Sequence, residues 1–261
     1  MEKEWAEKVK ETRRISGSDY WNKRALDYAD YIRTSDYEHG RKIKEVFERE
    51  GILKEDLEIL DIAAGPGSVT IPFAESVRKA TAVEPAEGMC KRLVENSLEL
   101  GLENIEIMNM MWEEVDDAEL EDRFDLVVCS NALWQFPDIW GQLARMNRVS
   151  RGYCCIAIGV GSDETFSEMY RKLKLDDGDI DHFIGVYNTL YERDVLANVR
   201  MIETVMRRSV NSGISMWELL LSKYREPTED DKEIIRDHVA DNSEDGVYRK
   251  EGNMAVIWWK S

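Results

Sequence analysis

Two carboxylates and a loop stripped of side chains carry most of the chemistry this sequence offers. Asp61 closes the apolar run "LEILDI", and Ala63-Ala64-Gly65-Pro66-Gly67 follow at once. Glu84 ends a second apolar run, "KATAVE". Small residues between a strand and a helix let a ligand approach bare backbone, and the N–H groups at a helix start add a weak positive field. A carboxylate just ahead of such a loop suits a cationic amine. A carboxylate at the end of the next strand can accept hydrogen bonds from both hydroxyls of a ribose. That second carboxylate fits a nucleoside of either kind, so it does not discriminate by itself.

The loop is short of a dinucleotide fingerprint. In the register of G-x-G-x-x-G it reads Gly65-Pro66-Gly67-Ser68-Val69-Thr70, so Thr70 stands where the third glycine would allow close helix–strand packing. Asp61 would also lie beside a pyrophosphate, where a second negative charge is poorly placed. A nicotinamide-dependent oxidoreductase is therefore a weaker reading, and a cofactor-binding module without turnover is a third.

The elements that must position these residues are legible from the change of period along the chain. "YWNKRALDYADYIR" places Trp21, Ala25, Tyr28, Ala29 and Ile32 on one helical face, and "EHGRKIKEVFEREGI" predicts another helix closing at Gly51. From residue 57 to 160, apolar strands (57–63, 79–85, 104–110, 123–132, 152–160) alternate with helical patterns (69–77, 88–101, 140–150). Alternation with short connections predicts a mostly parallel, doubly wound α/β sheet with helices on both faces. Its ligands belong beyond the carboxyl ends of the strands. After Gly161 the alternation stops. Helical patterns follow, then a β-branched stretch at 199–210, two more helices, and "GVYRKEGNMAVIWWK", which predicts two closing strands joined at Glu251-Gly252. The boundaries expected are a helical cap (1–50), the cofactor-binding core (51–160), a helical lid (161–198), and the remaining strands with a helical insertion (199–261).

In order, Asp61, the small-residue loop, Glu84, "MNMMWEEV" (108–115) and "FDLVVCSNALWQFPD" (124–138) resemble the class I S-adenosylmethionine-dependent methyltransferases. Their first motif usually reads D-x-G-x-G-x-G. Here it is Asp61-Ile62-Ala63-Ala64-Gly65-Pro66-Gly67, with alanine at the first glycine. The resemblance covers about 55–160 and implies a Rossmann-like, seven-stranded sheet with S-adenosyl-L-methionine as cofactor. It implies that Asp61 and the backbone of Ala63, Ala64 and Gly65, with Gly67, hold the methionine end. Glu84 would hold the ribose hydroxyls, and Pro85 and Met89 would pack beside ribose and adenine. Met111 stands where the family usually has an acidic residue for the adenine amino group, so Met111 and Trp112 would offer apolar contact and backbone instead. Asn131 would border the sulfonium, and Tyr20 would cover the methionine end.

Methyl transfer from a sulfonium is an in-line displacement that needs mainly proximity and alignment. A base is required only if the acceptor must lose a proton. Trp134 and Gln135 occupy the loop where the family often has histidine, so His182, oriented by Asp181, is the candidate base. His39 and His238 read as structural. Trp134, Phe136 and Tyr187 suggest an aromatic acceptor pocket beneath the lid. The expected acceptor is a small molecule, with a protein side chain as the alternative.

The chain carries 35 basic and 53 acidic residues, a net charge of -18, which disfavours nucleic acid and anionic membranes as partners. Cys90, Cys129, Cys154 and Cys155 form no C-x-x-C pair and mostly sit in apolar runs. Reduced, buried thiols in a cytoplasmic protein are expected, with the vicinal pair pointing to opposite faces of a strand. No signal peptide, membrane span or metal site is expected.

Overall fold

A computed structural model describes residues 2–161, 164–175 and 182–261. The helices are α1 (Glu2–Ile15), α2 (Ser18–Thr34), α3 (Glu38–Arg49), α4 (Thr70–Ala74), α5 (Glu87–Glu99), α6 (Ile139–Val149), α7 (Glu164–Lys172), α8 (His182–Tyr191), α9 (Val210–Leu221) and α10 (Glu229–Asp241). The strands are β1 (Glu58–Ile62), β2 (Lys79–Val83), β3 (Ile105–Met108), β4 (Phe124–Ser130), β5 (Ser150–Val160), β6 (Asn198–Ser209), β7 (Ser243–Glu244) and β8 (Val247–Lys260). Single 3-10 turns lie at Trp112–Glu114 and Leu133–Gln135.

All strands join one sheet in the order β3-β2-β1-β4-β5-β8-β6, with the two-residue β7 pairing β8. The first five pair in parallel, and β8 runs antiparallel to both β5 and β6. Strand order reverses between β1 and β4, so a crevice opens beyond their carboxyl ends. Successive residues feed opposite cores. Leu60, Ile62, Val127, Cys129, Cys154 and Trp259 face a layer that includes α6, α8 and Trp5 of α1. Ile59, Leu126, Val128, Cys155 and Trp258 face a layer built with α3 and α4. All four cysteines are free and buried, and the vicinal pair splits between the two layers.

The predicted turn at Glu251-Gly252 is not there. β8 runs unbroken through it, because Glu251 and Gly252 pair with Val205 and Thr204 of the twelve-residue β6. A long partner strand overrides the local preference of glycine for a turn. The described residues of the segment after β5 pack in two places. Val186 and Leu190 of α8 join the core beside β5, while Met169 and Leu173 of α7 join Trp217, Leu221, Ile235 and Tyr248 in a separate cluster with α9 and α10. Thr228 caps α10 in a reciprocal capping box with Asp231. No helix of the described residues is long and apolar enough to cross a membrane, and no cluster of potential metal ligands occurs among them.

Candidate functional site

Two adjoining clefts open at the switch point. The first, about 540 Å³, is bounded by Ala63, Ala64, Gly65 and Ser68 after β1, Glu84, Pro85 and Met89 after β2, and Ser130, Asn131, Ala132 and Gln135 after β4. Trp21 and Tyr28 of α2 close it. The second, about 500 Å³, shares Trp21, Ala63, Pro85 and Gln135 and continues to Met111, Trp112, Glu113 and Phe136, with Arg13, Gly17 and Ser18 as its outer wall.

The loop after β1 is held open by its own backbone. Gly65 and Gly67 have φ of +55 and +94°, and Ala63 adopts +58° despite its Cβ. A left-handed alanine costs about 1 kcal/mol, which the surrounding packing must offset. Gly67 faces inward: a Cβ there would collide with Leu93 and come within 2.8 Å of Ile71. Gly67 is thus a packing residue and lines neither cleft. Asn96 Nδ2 donates to Pro66 O at 2.9 Å, tying the loop to α5. Asn131 also has positive φ (+51°), a conformation its short polar side chain tolerates. Its Oδ1 accepts from Gly159 N at 3.3 Å.

Glu84 lies at the junction of these parts. Its Oε2 accepts from Gly65 N at 2.9 Å and its Oε1 from Ala86 N at 2.8 Å, so one carboxylate joins the glycine loop to the start of α5. Burial raises its pKa, opposed by these two backbone bonds. Asp61 is also buried, and its Oδ2 takes both Thr70 N (2.9 Å) and Thr70 Oγ1 (2.6 Å). It lines neither cleft, and it anchors the first turn of α4. The Thr70 that breaks the dinucleotide pattern is thereby explained as Asp61's partner.

Burial, opposed by the Thr70 bonds and assisted by the nearby charge of Glu84, lifts the Asp61 pKa from 3.8 to about 7. A folded-state pKa above the unfolded value means the folded protein binds more protons in between. The stability that Asp61 contributes is present below pH 4 and lost as pH rises through 7. Asp61→Asn is therefore expected to gain stability relative to the parent as pH rises from 4 to 8, by a few kcal/mol at most. Urea midpoints of both proteins across that range provide the check, and parallel curves would refute the assignment.

Of the residues singled out from sequence, Ala63, Ala64, Gly65, Glu84, Pro85, Met89, Met111, Trp112 and Asn131 line the clefts. Trp134 lies just behind: its Nε1 donates to Asn131 O at 2.6 Å and its ring centre is 6.5 Å from that of Trp21. Three others stand elsewhere. Tyr20 is turned to Arg24, whose Nη1 donates to its hydroxyl at 2.7 Å, and its neighbour Trp21 takes the place at the cleft. His182 sits edge-on to Trp5 at 5.3 Å because α8 buries its Val186–Leu190 face beside β5. Trp5 Nε1 in turn donates to Phe136 O at 2.8 Å. His182 lines neither cleft, and Asp181 lies outside the described residues. Tyr187, on the same helix, packs on Phe183 with ring centres 6.1 Å apart and also lines neither cleft. His39 and His238 are buried and bonded to Tyr31 and Tyr248.

Residues not foreseen at the site are Ser68, Ser130, Glu113, Arg13, Gly17, Ser18 and, above all, the pair Trp21 and Tyr28. The spacing of that pair placed both on one helical face, which was the available signal. Helix α2 is fixed to both halves of the molecule. Asn22 Oδ1 accepts from Gly88 N (2.8 Å), while Asp27 O accepts from Ser212 Oγ (2.9 Å) and Asp30 Oδ2 from Ser209 N and Oγ (3.0 Å each).

Besides Glu113 Oε1, which has an ion pair with Arg13 Nη1 at 2.7 Å, three buried polar atoms on the lining residues have no hydrogen-bond partner: Trp21 Nε1, Ser130 Oγ and Trp112 Nε1. Buried polar groups are nearly always satisfied, so three orphans around one crevice fit a polar ligand with an apolar body. Comparison with known proteins agrees. Residues 59–152 match the family model described as "Methyltransferase domain". This stretch of the chain is thus similar to a methyltransferase domain. The chain is similar in fold to the crystal structure of the YcgJ protein from Bacillus subtilis. The TM-score is 0.55 at 15% identity, covering 86% of this chain and 98% of that one. It is similar also to precorrin-6y C5,15-methyltransferase from Geobacter metallireducens, with a TM-score of 0.51 at 13% identity, covering 84% and 88% of the two chains. An uncharacterized protein of Haemophilus influenzae is 19% identical over 243 residues, covering 92% of this chain and 88% of that protein.

Proposed function

We propose that the enzyme transfers a methyl group from S-adenosylmethionine to a small-molecule acceptor at the crevice beyond β1, β2 and β4. The observation that carries this reading is the crevice that brings a bare glycine loop and the strand-end carboxylate Glu84 together, with unpartnered polar atoms on the lining residues Trp21, Ser130 and Trp112. When bound, the cofactor supplies a methyl group already activated by a positive sulfur. The chain supplies the rest. Ala63 to Gly65 leave backbone bare for the methionine end, and Glu84 provides the acceptor oxygens for a ribose. Pro85, Met89, Met111 and Trp112 form the apolar bed for an adenine. The buried carboxylate of Asp61 favours a cationic group above the loop through its field.

Among the described residues, no histidine, cysteine or lysine lines either cleft. Burial raises the pKa of Tyr28, so its hydroxyl stays protonated and donates. The lining carboxylates are engaged, Glu84 with Gly65 N and Ala86 N and Glu113 with Arg13 at 2.7 Å, which favours an acceptor that arrives as a ready nucleophile: a neutral amine, a thiolate or a carboxylate. Four free, buried thiols support a reducing, cytoplasmic setting.

Isothermal calorimetry with S-adenosylmethionine, S-adenosylhomocysteine and NAD tests the reading. Binding of the first two without NAD is expected. Binding of NAD alone would assign Glu84 to a dehydrogenase.

A further inference from the structure

Behind the aromatic wall of the cleft lies buried charge that methyl transfer itself does not use. Arg24 is 6% exposed, Asp27 5% and Arg208 1%. The Asp27 carboxylate takes Arg24 Nε at 2.9 and 3.0 Å, Arg24 Nη2 at 2.8 Å, and Arg208 Nη1 at 3.2 Å. Arg208 is otherwise poorly matched. Its Nη2 meets Met206 Sδ at 3.2 Å, its Cζ lies 5.0 Å from the Tyr31 ring centre, and its Nε is buried with no partner. A third cation, Lys223, sits 4.6 Å from the Tyr20 ring centre and bonds Ser16 Oγ at 3.0 Å.

The surrounding carboxylates are occupied elsewhere. Asp30 is bonded to Ser209, Glu38 to Val205 N and Lys42, and Glu84 to Gly65 N and Ala86 N. Arg24 and Arg208 thus share one carboxylate, and Lys223 stands beside them on the Tyr20 ring and Ser16 Oγ, inside a protein whose net charge is -18. A buried charge short of its counter-ion is costly. A fold that keeps such an excess beside a ligand cleft has a use for it. The cleft is one side chain away: the ring centre of Trp21 is 5.9 Å from Arg24 Cζ, and Tyr28 feels the charges of both Arg24 and Arg208.

We propose that the methyl acceptor is an anion, whose carboxylate or phosphate docks beside Trp21 and Tyr28 and supplies the negative charge that the Arg24–Arg208–Lys223 cluster lacks. This rests on the methyltransferase reading above. The anionic end then sits against α2, and the nucleophilic end points to Asn131 and Gln135 at the carboxyl end of β4. The acidic surface does not oppose this, since it is the local, desolvated field that the ligand meets.

The test is calorimetry on protein saturated with S-adenosylhomocysteine, using inorganic phosphate, acetate and the neutral acetamide as probes. Saturable binding of phosphate or acetate but not acetamide is expected, and the tighter of the two names the anionic group. Arg208→Gln and Lys223→Gln should each weaken that binding about tenfold, through loss of one positive charge behind the aromatic wall, with S-adenosylhomocysteine affinity retained. Lys223 is only half-buried, so its variant remains informative if Arg208→Gln does not fold. Equal binding of acetate and acetamide would overturn the inference. So would no saturable anion binding, or anion affinity unchanged in Lys223→Gln, each with S-adenosylhomocysteine still bound. Failure of S-adenosylhomocysteine itself to bind would instead remove the methyltransferase reading, and this inference with it.

Discussion

Glu84→Ala is expected to lower the affinity for S-adenosylhomocysteine by about a hundredfold or more, the effect of losing two charge-assisted hydrogen bonds. The reason is that one side chain does two things. On the proposed reading its oxygens accept from a ribose diol, and before any ligand arrives they hold Gly65 N and Ala86 N at 2.9 and 2.8 Å. Alanine removes the acceptors and also frees the glycine loop from α5. Glu84→Gln is the milder change. Its amide retains one acceptor oxygen but sets an NH₂ against the other backbone N–H, so it should lose one of the two backbone bonds together with part of the affinity, less than alanine does. Calorimetric titration of both variants, with circular dichroism melts to establish folding, reads the difference. Unchanged affinity in a folded Glu84→Ala protein would show that this carboxylate does not serve the ligand.

The largest effect on stability is expected at a residue with no chemistry. Gly40 lies on α3, where helix propensity alone favours Gly→Ala by about 1 kcal/mol. Packing reverses the sign. A Cβ at Gly40 would overlap Ser68 O, come within 2.9 Å of the Ser68 carbonyl carbon and within 3.1 Å of Pro72 Cγ. The obstacle is backbone, which cannot rotate aside. Gly40→Ala should therefore destabilise by about 3 kcal/mol or more, at the upper end of overpacking costs. Because Ser68 lines the first cleft, affinity for S-adenosylhomocysteine should fall with it. A urea midpoint equal to or above the parent's would refute this close approach of α3 to the loop.

How much of this could be read from the chain alone depends on what each signal encodes. The parallel core was legible because apolar runs of strand length alternate with helical periods. The order Asp61, small loop, Glu84 located the crevice because strand ends in such a sheet lie together. Pairing between distant strands was not legible. Gly252 reads as a turn until β6 lies beside it. Periodicity placed Trp21 and Tyr28 on one face of α2 but could not say that the face meets the crevice, so Tyr20 was favoured instead. His182 was chosen for its chemistry, and only the packing of α8 beside β5 shows that it stands against Trp5. Arg24 and Arg208 gave no signal, since arginine in a charged chain reads as solvated surface until the tertiary fold buries it. Gly40 was equally silent, as a helical glycine reveals nothing of what it touches.

The attachment of α2 has a consequence for the order in which the protein can mature. Asp27 and Asp30 come early from the ribosome, yet their partners Arg208, Ser209 and Ser212 follow 179 to 185 residues later. Contacts so distant in sequence form late and slow folding, because a long loop must close before they stabilise anything. The sheet from β1 to β5 can collapse around its local helices while α2 is held only from the α5 side, by Asn22 on Gly88. Trp21 and Tyr28 are then fully fixed once β6 and α9 exist to hold the other side. A growing chain would thus possess the glycine loop and Glu84 well before it possesses a closed cleft, and competence for chemistry arrives with the last fifth of the protein rather than with the domain that carries its motifs.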